Sequence, residues 1–187
     1  HHSNQTSWYE TVADVEIISH DNNLLVDLND LEEKLIKFKD IKHKIGAFTA
    51  CSNVTGVITP FHKMAALMHK YDGLVIIDFA ASAPYKNIDM HPENPDEYLD
   101  AICFSPHKFL GGPGSSGVLI FNKKLYENKS PDVPGGGTVE WTNPWGEYQY
   151  ISDIEVREDG GTPGFLQCMR TAMAIKLKEK MNPIKIQ

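Results

Sequence analysis

The sequence predicts an α/β protein with a mostly parallel sheet flanked by helices, and three observations carry that prediction. Ile45 to Ala50, Leu74 to Ile77 and Ala101 to Phe104 are short, nearly all-apolar runs. They have the length of strands and lack a polar face, as strands buried on both sides of a parallel sheet do. Helical periodicity separates the first two of them, the alternation expected of a sheet covered by helices. The runs also lead into residues suited to chemistry: Asn53, Asp78 and the segment Ser105 to Lys108. In such sheets ligands bind outside the carboxyl ends of the strands.

The opening, His1 to Glu10, is polar with two aromatics, and Val12 to Ser19 alternates enough to read as a strand. Asp21-Asn22-Asn23 breaks it, and Leu24 to Asp27 reads as a short extended piece. Leu31, Leu35 and Phe38 then recur at i, i+4 and i+7 among Glu32, Glu33, Lys34 and Lys37. That is an amphipathic helix, with Asp27 or Asn29 placed to cap it. Cys51 to Gly56 is a turn. Thr59 stands as a capping residue and Pro60 as a first-turn proline for a helix from Phe61 to Tyr71, which Asp72-Gly73 ends. Val118 to Phe121 follows Lys108 with no room for a crossover helix, so it is expected to run antiparallel. Asn128 to Asn143 and Glu155 to Gly164 read as loops. Phe165, Cys168, Ala172 and Ile175 share one face of a last helix, closed by Asn182-Pro183.

The length of 187 residues suits one domain or a large piece of one. A formal charge of -7 with no basic patch argues against nucleic acid as a partner. The clusters Lys34 to Lys44 and Lys176 to Lys180 are interleaved with acids and read as solvated helix faces. Cys51, Cys103 and Cys168 are widely and irregularly spaced, which disfavours a disulfide framework or a zinc site and fits a reducing compartment. No apolar run is long enough to span a bilayer, and the first residues are too polar for a signal peptide. These features point to the cytoplasm, with an organelle as the alternative.

Gly112-Pro-Gly-Ser-Ser-Gly117 satisfies GxGxxG, yet a dinucleotide fingerprint needs a helix after it and here a strand follows. No Lys-Ser/Thr completes a phosphate-binding P-loop. His62, His69, Asp72 and His91 lack metal-ligand spacing, and no metal is expected. Ser105 with His107 lacks the elbow of a serine hydrolase.

Lys108 stands out because a lysine on a rigid strand end is either a solvated loop residue or an amine able to attack a carbonyl. Asp78 reads either as a turn residue or as a buried carboxylate that needs a cationic partner. Together with Ser105, His107 and the N–H groups of the glycine turn they suit a cofactor with an aldehyde, a basic ring nitrogen and a phosphate.

Six segments in order strengthen this reading: His1-His2-Ser3-Asn4 with Trp8, Ser52 to Gly56, Ile77 to Ala81, Ser105 to Lys108, Gly135 to Thr138 and Glu158 to Pro163. In them the chain resembles the class V aminotransferase family of pyridoxal-phosphate enzymes, and within it the cysteine desulfurase and selenocysteine lyase branch. The resemblance implies the large domain of a fold type I enzyme, incomplete here. Residues 1–187 would form a single unit, the central to late part of that domain. The family's amino-terminal segment and its carboxy-terminal small domain would lie outside it. It also implies that Lys108 forms the Schiff base with pyridoxal 5'-phosphate and that Asp78 pairs with the ring nitrogen. His1 would stack on one ring face and Ala80 on the other, with Asn53 beside the ring oxygen. Ser105 and His107 would hold the phosphate, and Thr138 would reach the cofactor of a partner subunit in a homodimer with shared sites. An amino-acid substrate and a sulfur acceptor protein complete the expectation. Ala81 departs from the glutamine usual in the desulfurases, and none of the three cysteines occupies the place of the family's nucleophile. A related aminotransferase or lyase is therefore the close alternative. A truncated, non-catalytic binding module is the distant one.

Overall fold

Four short strands make the central sheet: β1 (Ile45–Thr49), β2 (Leu74–Asp78), β3 (Ala101–Phe104) and β4 (Val118–Phe121), side by side in that order. In the computed structural model, which describes residues 1–183, β1 and β2 run parallel from Ile45↔Leu74 to Thr49↔Asp78. β2 and β3 are also parallel, while β3 and β4 are antiparallel. The sheet is thus mixed and mostly parallel, and the short turn after Lys108 returns the chain along its own edge as expected.

The first helix in the chain, α1 (Ser3–Tyr9), is followed by α2 (Leu28–Lys37) and α3 (Phe61–Lys70). α3 packs on β1 and β2, and α2 packs on α3. α2 begins where Asp27 accepts hydrogen bonds from the backbone of Asn29 and Asp30, and it buries Leu31 and Leu35. α3 buries Met64, Ala65 and Met68 against Val75, Ile77 and Ile102 of the sheet. Thr59 does not cap α3. Its hydroxyl donates instead to the carbonyl of Thr49 at 2.5 Å, tying the helix approach to the end of β1.

Several local readings change. Val12 to Ser19 forms no strand: Val12 is fully exposed, and the segment is held by side chains of α2 instead of by a neighbouring strand. Asp30 accepts from the Ser19 backbone at 2.7 Å, and Lys34 donates to the Ile17 carbonyl at 2.7 Å. Leu24, within the expected extended piece, sits at φ 61° in a turn. Part of the expected loop from Asn128 to Asn143 pairs as β5 (Val139–Thr142) with β6 (Tyr148–Tyr150). The second expected loop, Glu155 to Gly164, overlaps α4 (Ile154–Glu158), capped by the Asp153 carboxylate.

The last helix is α5 (Phe165–Met181), ended by Asn182 at φ 59°. Its inward face is not the one that the apolar spacing suggests. Ala174 is buried with Thr171, Ile175 and Lys178 beside it, whereas Phe165, Cys168 and Ala172 are exposed. The reason is a polar target: Arg170 and Thr171 reach the glycine-rich loop, and that docking sets the rotation of the helix. Lys34 and Lys178 are correspondingly half-buried and bonded, not part of freely solvated faces.

Candidate active site

The turn that carries Lys108 is built from local constraints. Ser105 is extended, Pro106 pre-sets the first position, and Pro106–Lys108 closes as one turn of 3-10 helix with Lys108 N–H donating to the Ser105 carbonyl at 3.0 Å. Phe109 then plunges into the core, its ring 6.0 Å from that of Phe104. Gly112 donates to the Phe109 carbonyl at 2.9 Å, and a Cβ on it would be driven into the carbonyl oxygen of Pro106. Only glycine fits there. Arg170 donates to the Pro113 carbonyl at 2.6 Å and Thr171 to that of Ser116 at 3.3 Å, so α5 fastens the outer part of the same loop.

Lys108 and Asn53 line one cleft of about 450 Å3, together with Cys51, Ser52, Ala81, Ser82, Tyr85 and Lys86. That volume falls in the range of small-molecule sites, about 300–1,000 Å3. Asp78, the last residue of β2, pairs in register with Thr49 and Cys103, and its carboxylate accepts from the Ala80 backbone at 2.8 Å. Ala80 is half-buried directly before the cleft residue Ala81. Ser105 and His107 share the turn of Lys108 but do not line the cleft.

His1 and Thr138 are not brought to it within this chain. The His1 ring accepts from the Ser3 backbone at 3.1 Å and lies 4.1 Å from the ring of His2. Thr138 is fully buried, its hydroxyl donating to the Gly135 carbonyl at 2.6 Å and accepting from the Gly135 N–H at 3.2 Å. A second hollow of about 390 Å3 lies between Gly135-Gly136 and the β5–β6 hairpin. It has no lysine, histidine or cysteine in its lining and so offers no side-chain amine.

The donor set suits a group with an aldehyde, a basic ring and anionic oxygens. Lys108 supplies an amine, Asp78 a carboxylate at the strand end, and Asn53 and Ser52 polar side chains. Ser82 adds a hydroxyl that is buried without a hydrogen-bond partner, in the wall of the same cleft. The histidines go elsewhere: His62 bonds the Glu97 carbonyl, and His69 lies between the Asp96 carbonyl and the Asp100 carboxylate. Cys103 has its thiol pushed up by burial and further by the charge of Asp78, so it is a poor nucleophile. Ser82, Tyr85 and Lys86 carried no signal that a sequence motif reports; proximity through the turn after Asp78 places them in the wall.

The sheet, the lysine turn and the strand-end carboxylate define a mostly parallel α/β domain with a polar cleft at its strand ends. The aminotransferase class-V family model matches residues 1–187, and the chain belongs to that family, a family of pyridoxal-phosphate enzymes. It is similar to a probable cysteine desulfurase of Pyrococcus abyssi, 28% identical over 193 residues that cover 100% of this chain and 45% of that protein. A probable cysteine desulfurase of Mycobacterium leprae is 27% identical over 182 residues, covering 94% and 40%. Among solved structures, the cysteine desulfurase of Thermococcus onnurineus superposes with a TM-score of 0.80 at 25% identity, over 98% of this chain and 44% of that one. The cysteine desulfurase CsdA of Escherichia coli gives the same values. The chain therefore spans less than half the length of these relatives. No helix among the described residues is long and apolar enough to cross a membrane.

Proposed function

We propose that this chain forms the pyridoxal-phosphate site of an enzyme acting on an amino acid, most like a cysteine desulfurase that removes sulfur from L-cysteine. The observation that carries the reading is the shared cleft of Lys108 and Asn53 at the carboxyl ends of the parallel strands, beside Asp78. Lys108 would hold the cofactor through its amine and, once released, move the proton at the substrate α-carbon. Asp78 would keep the ring nitrogen protonated, while Asn53 would orient the ring from the opposite wall. His1 and Ala80 would pack on the ring faces, and Ser105 and His107 would bind the phosphate. When bound, the cofactor supplies the electron sink. Thr138 would serve a neighbouring subunit's cofactor, which makes a homodimer part of the proposal, with a sulfur acceptor protein as a further partner and the cytoplasm as the setting. Cys103 is poorly suited to take the sulfur, because burial and then the charge of Asp78 raise its thiol pKa.

A related class V aminotransferase or lyase is the second reading, favoured by Ala81, a residue with no hydrogen bond to give where the resemblance expects glutamine. Visible absorbance with added pyridoxal phosphate tests the site. A new band in the wild-type chain that is absent from Lys108→Ala is the expected result; a band that survives the substitution assigns the cofactor elsewhere. Release from L-cysteine of alanine and, with an added dithiol reductant, of sulfide by the whole protein then separates desulfurase from aminotransferase.

A further inference from the structure

Lys178 lies outside the cleft, yet it touches the structures behind both of its walls. From α5 its Nζ donates to the main-chain carbonyl of Lys86 at 2.5 Å, and it stands 5.6 Å from the centre of the Phe109 ring. Lys86 ends a turn in which the N–H groups of Tyr85 and Lys86 both donate to the Ser82 carbonyl at 2.9 Å, and all three residues line the cleft. Phe109 directly follows Lys108 and is buried as the anchor of the lysine turn.

We propose that Lys178 is a positioning residue that holds the Ser82–Lys86 wall and the Lys108 turn at a fixed separation. One ammonium satisfies an acceptor on one wall and lies near the face of the aromatic anchor of the other, so neither element shifts without losing a favourable charge contact. The neighbouring contacts of Arg170 and Thr171 fasten the glycine loop beyond Phe109, whereas Lys178 reaches residue 86. Burial lowers the pKa of this ammonium, with Glu179 partly opposing. The effect on the cofactor rests on the reading of the Lys108 cleft as a pyridoxal-phosphate site.

Lys178→Met keeps the apolar stem and removes the donor, whereas Lys178→Arg keeps a charged donor. Titration of the full chain with pyridoxal phosphate, followed by the visible band, is expected to show about tenfold weaker binding for the methionine variant, the size of one charged hydrogen bond. The arginine variant should stay within about threefold of wild type. Wild-type affinity in the methionine variant overturns the proposal, as does a loss that arginine fails to restore. Should the wild-type chain give no band, the functional reading fails by itself, and amide hydrogen exchange of the cofactor-free chain decides the role of Lys178. Faster exchange at Tyr85–Lys86 and at Phe109–Gly112 together, with β1 and β2 unchanged, upholds it. No change at either wall overturns it.

Discussion

At the scale of single residues, Asp100 is a buried carboxylate outside the cleft that joins three elements. It is 3% exposed, and one of its oxygens accepts from the Val75 N–H at 2.9 Å and from His69 at 3.0 Å. The other nitrogen of His69 faces the Asp96 carbonyl at 2.7 Å, so the ring bridges that carbonyl and the Asp100 carboxylate. The ring is also stacked 3.9 Å from Tyr98. This group ties α3, β2 and the approach to β3 together. His69→Ala leaves a buried carboxylate short of its partner and is expected to destabilise the fold by about 3 kcal/mol, measured by urea denaturation. The cysteines make a second residue-scale prediction. Cys168 is exposed on α5, while Cys103 has its pKa raised by burial and by Asp78. Ellman's reagent at pH 8 should label Cys168 quickly and Cys103 slowly, and the Cys103 rate should climb as pH rises toward its raised pKa.

At the scale of elements, the lysine turn depends on Gly112, whose Cβ would meet the Pro106 carbonyl. Gly112→Ala is expected to displace Pro106–Phe109 and to lower the thermal midpoint by several degrees, the effect of about 2 kcal/mol on a chain of this size, read by calorimetry. Asp27→Ala, which removes the cap of α2, should cost about 1 kcal/mol and leave the lysine turn intact. The contrast between α2 and α3 explains how far element ends were legible. Asp27 lies next to its helix and serves it, whereas Thr59, in an equally suitable place, bonds the Thr49 carbonyl. A hydroxyl takes whichever acceptor the tertiary fold brings near, and sequence order does not say which one that is. For Val12 to Ser19, alternation implied a strand but supplied no neighbour to pair with.

At the scale of the whole molecule, β4 is an edge strand with Leu119, Ile120 and Phe121 all exposed, and the outer side of α5 exposes Leu166, Met169 and Met173. An apolar open edge is a template for further pairing. The isolated 187-residue chain is expected to self-associate with rising concentration, and Ile120→Lys should shift sedimentation toward the monomer. The site has the same divided character: the cleft gathers Lys108 and Asn53 next to Asp78, while His1 and Thr138 are held by their own local hydrogen bonds.

By itself the sequence determined the four strands of the central sheet, the helices α2, α3 and α5, the antiparallel return after Lys108, and the place of Asp78 at the end of β2 and of Lys108 in the turn that follows β3. These follow from local spacing, because periodicity of two or 3.6 and the conformational limits of proline and glycine act between near neighbours in the chain. Only the tertiary structure decided which face of α5 turns inward, that Lys178 is drawn against Lys86, that Ser82 lies in the cleft wall and that Thr138 is enclosed in its own turn. Those outcomes depend on contacts between residues far apart in sequence, where burial and hydrogen-bond competition outweigh local preference.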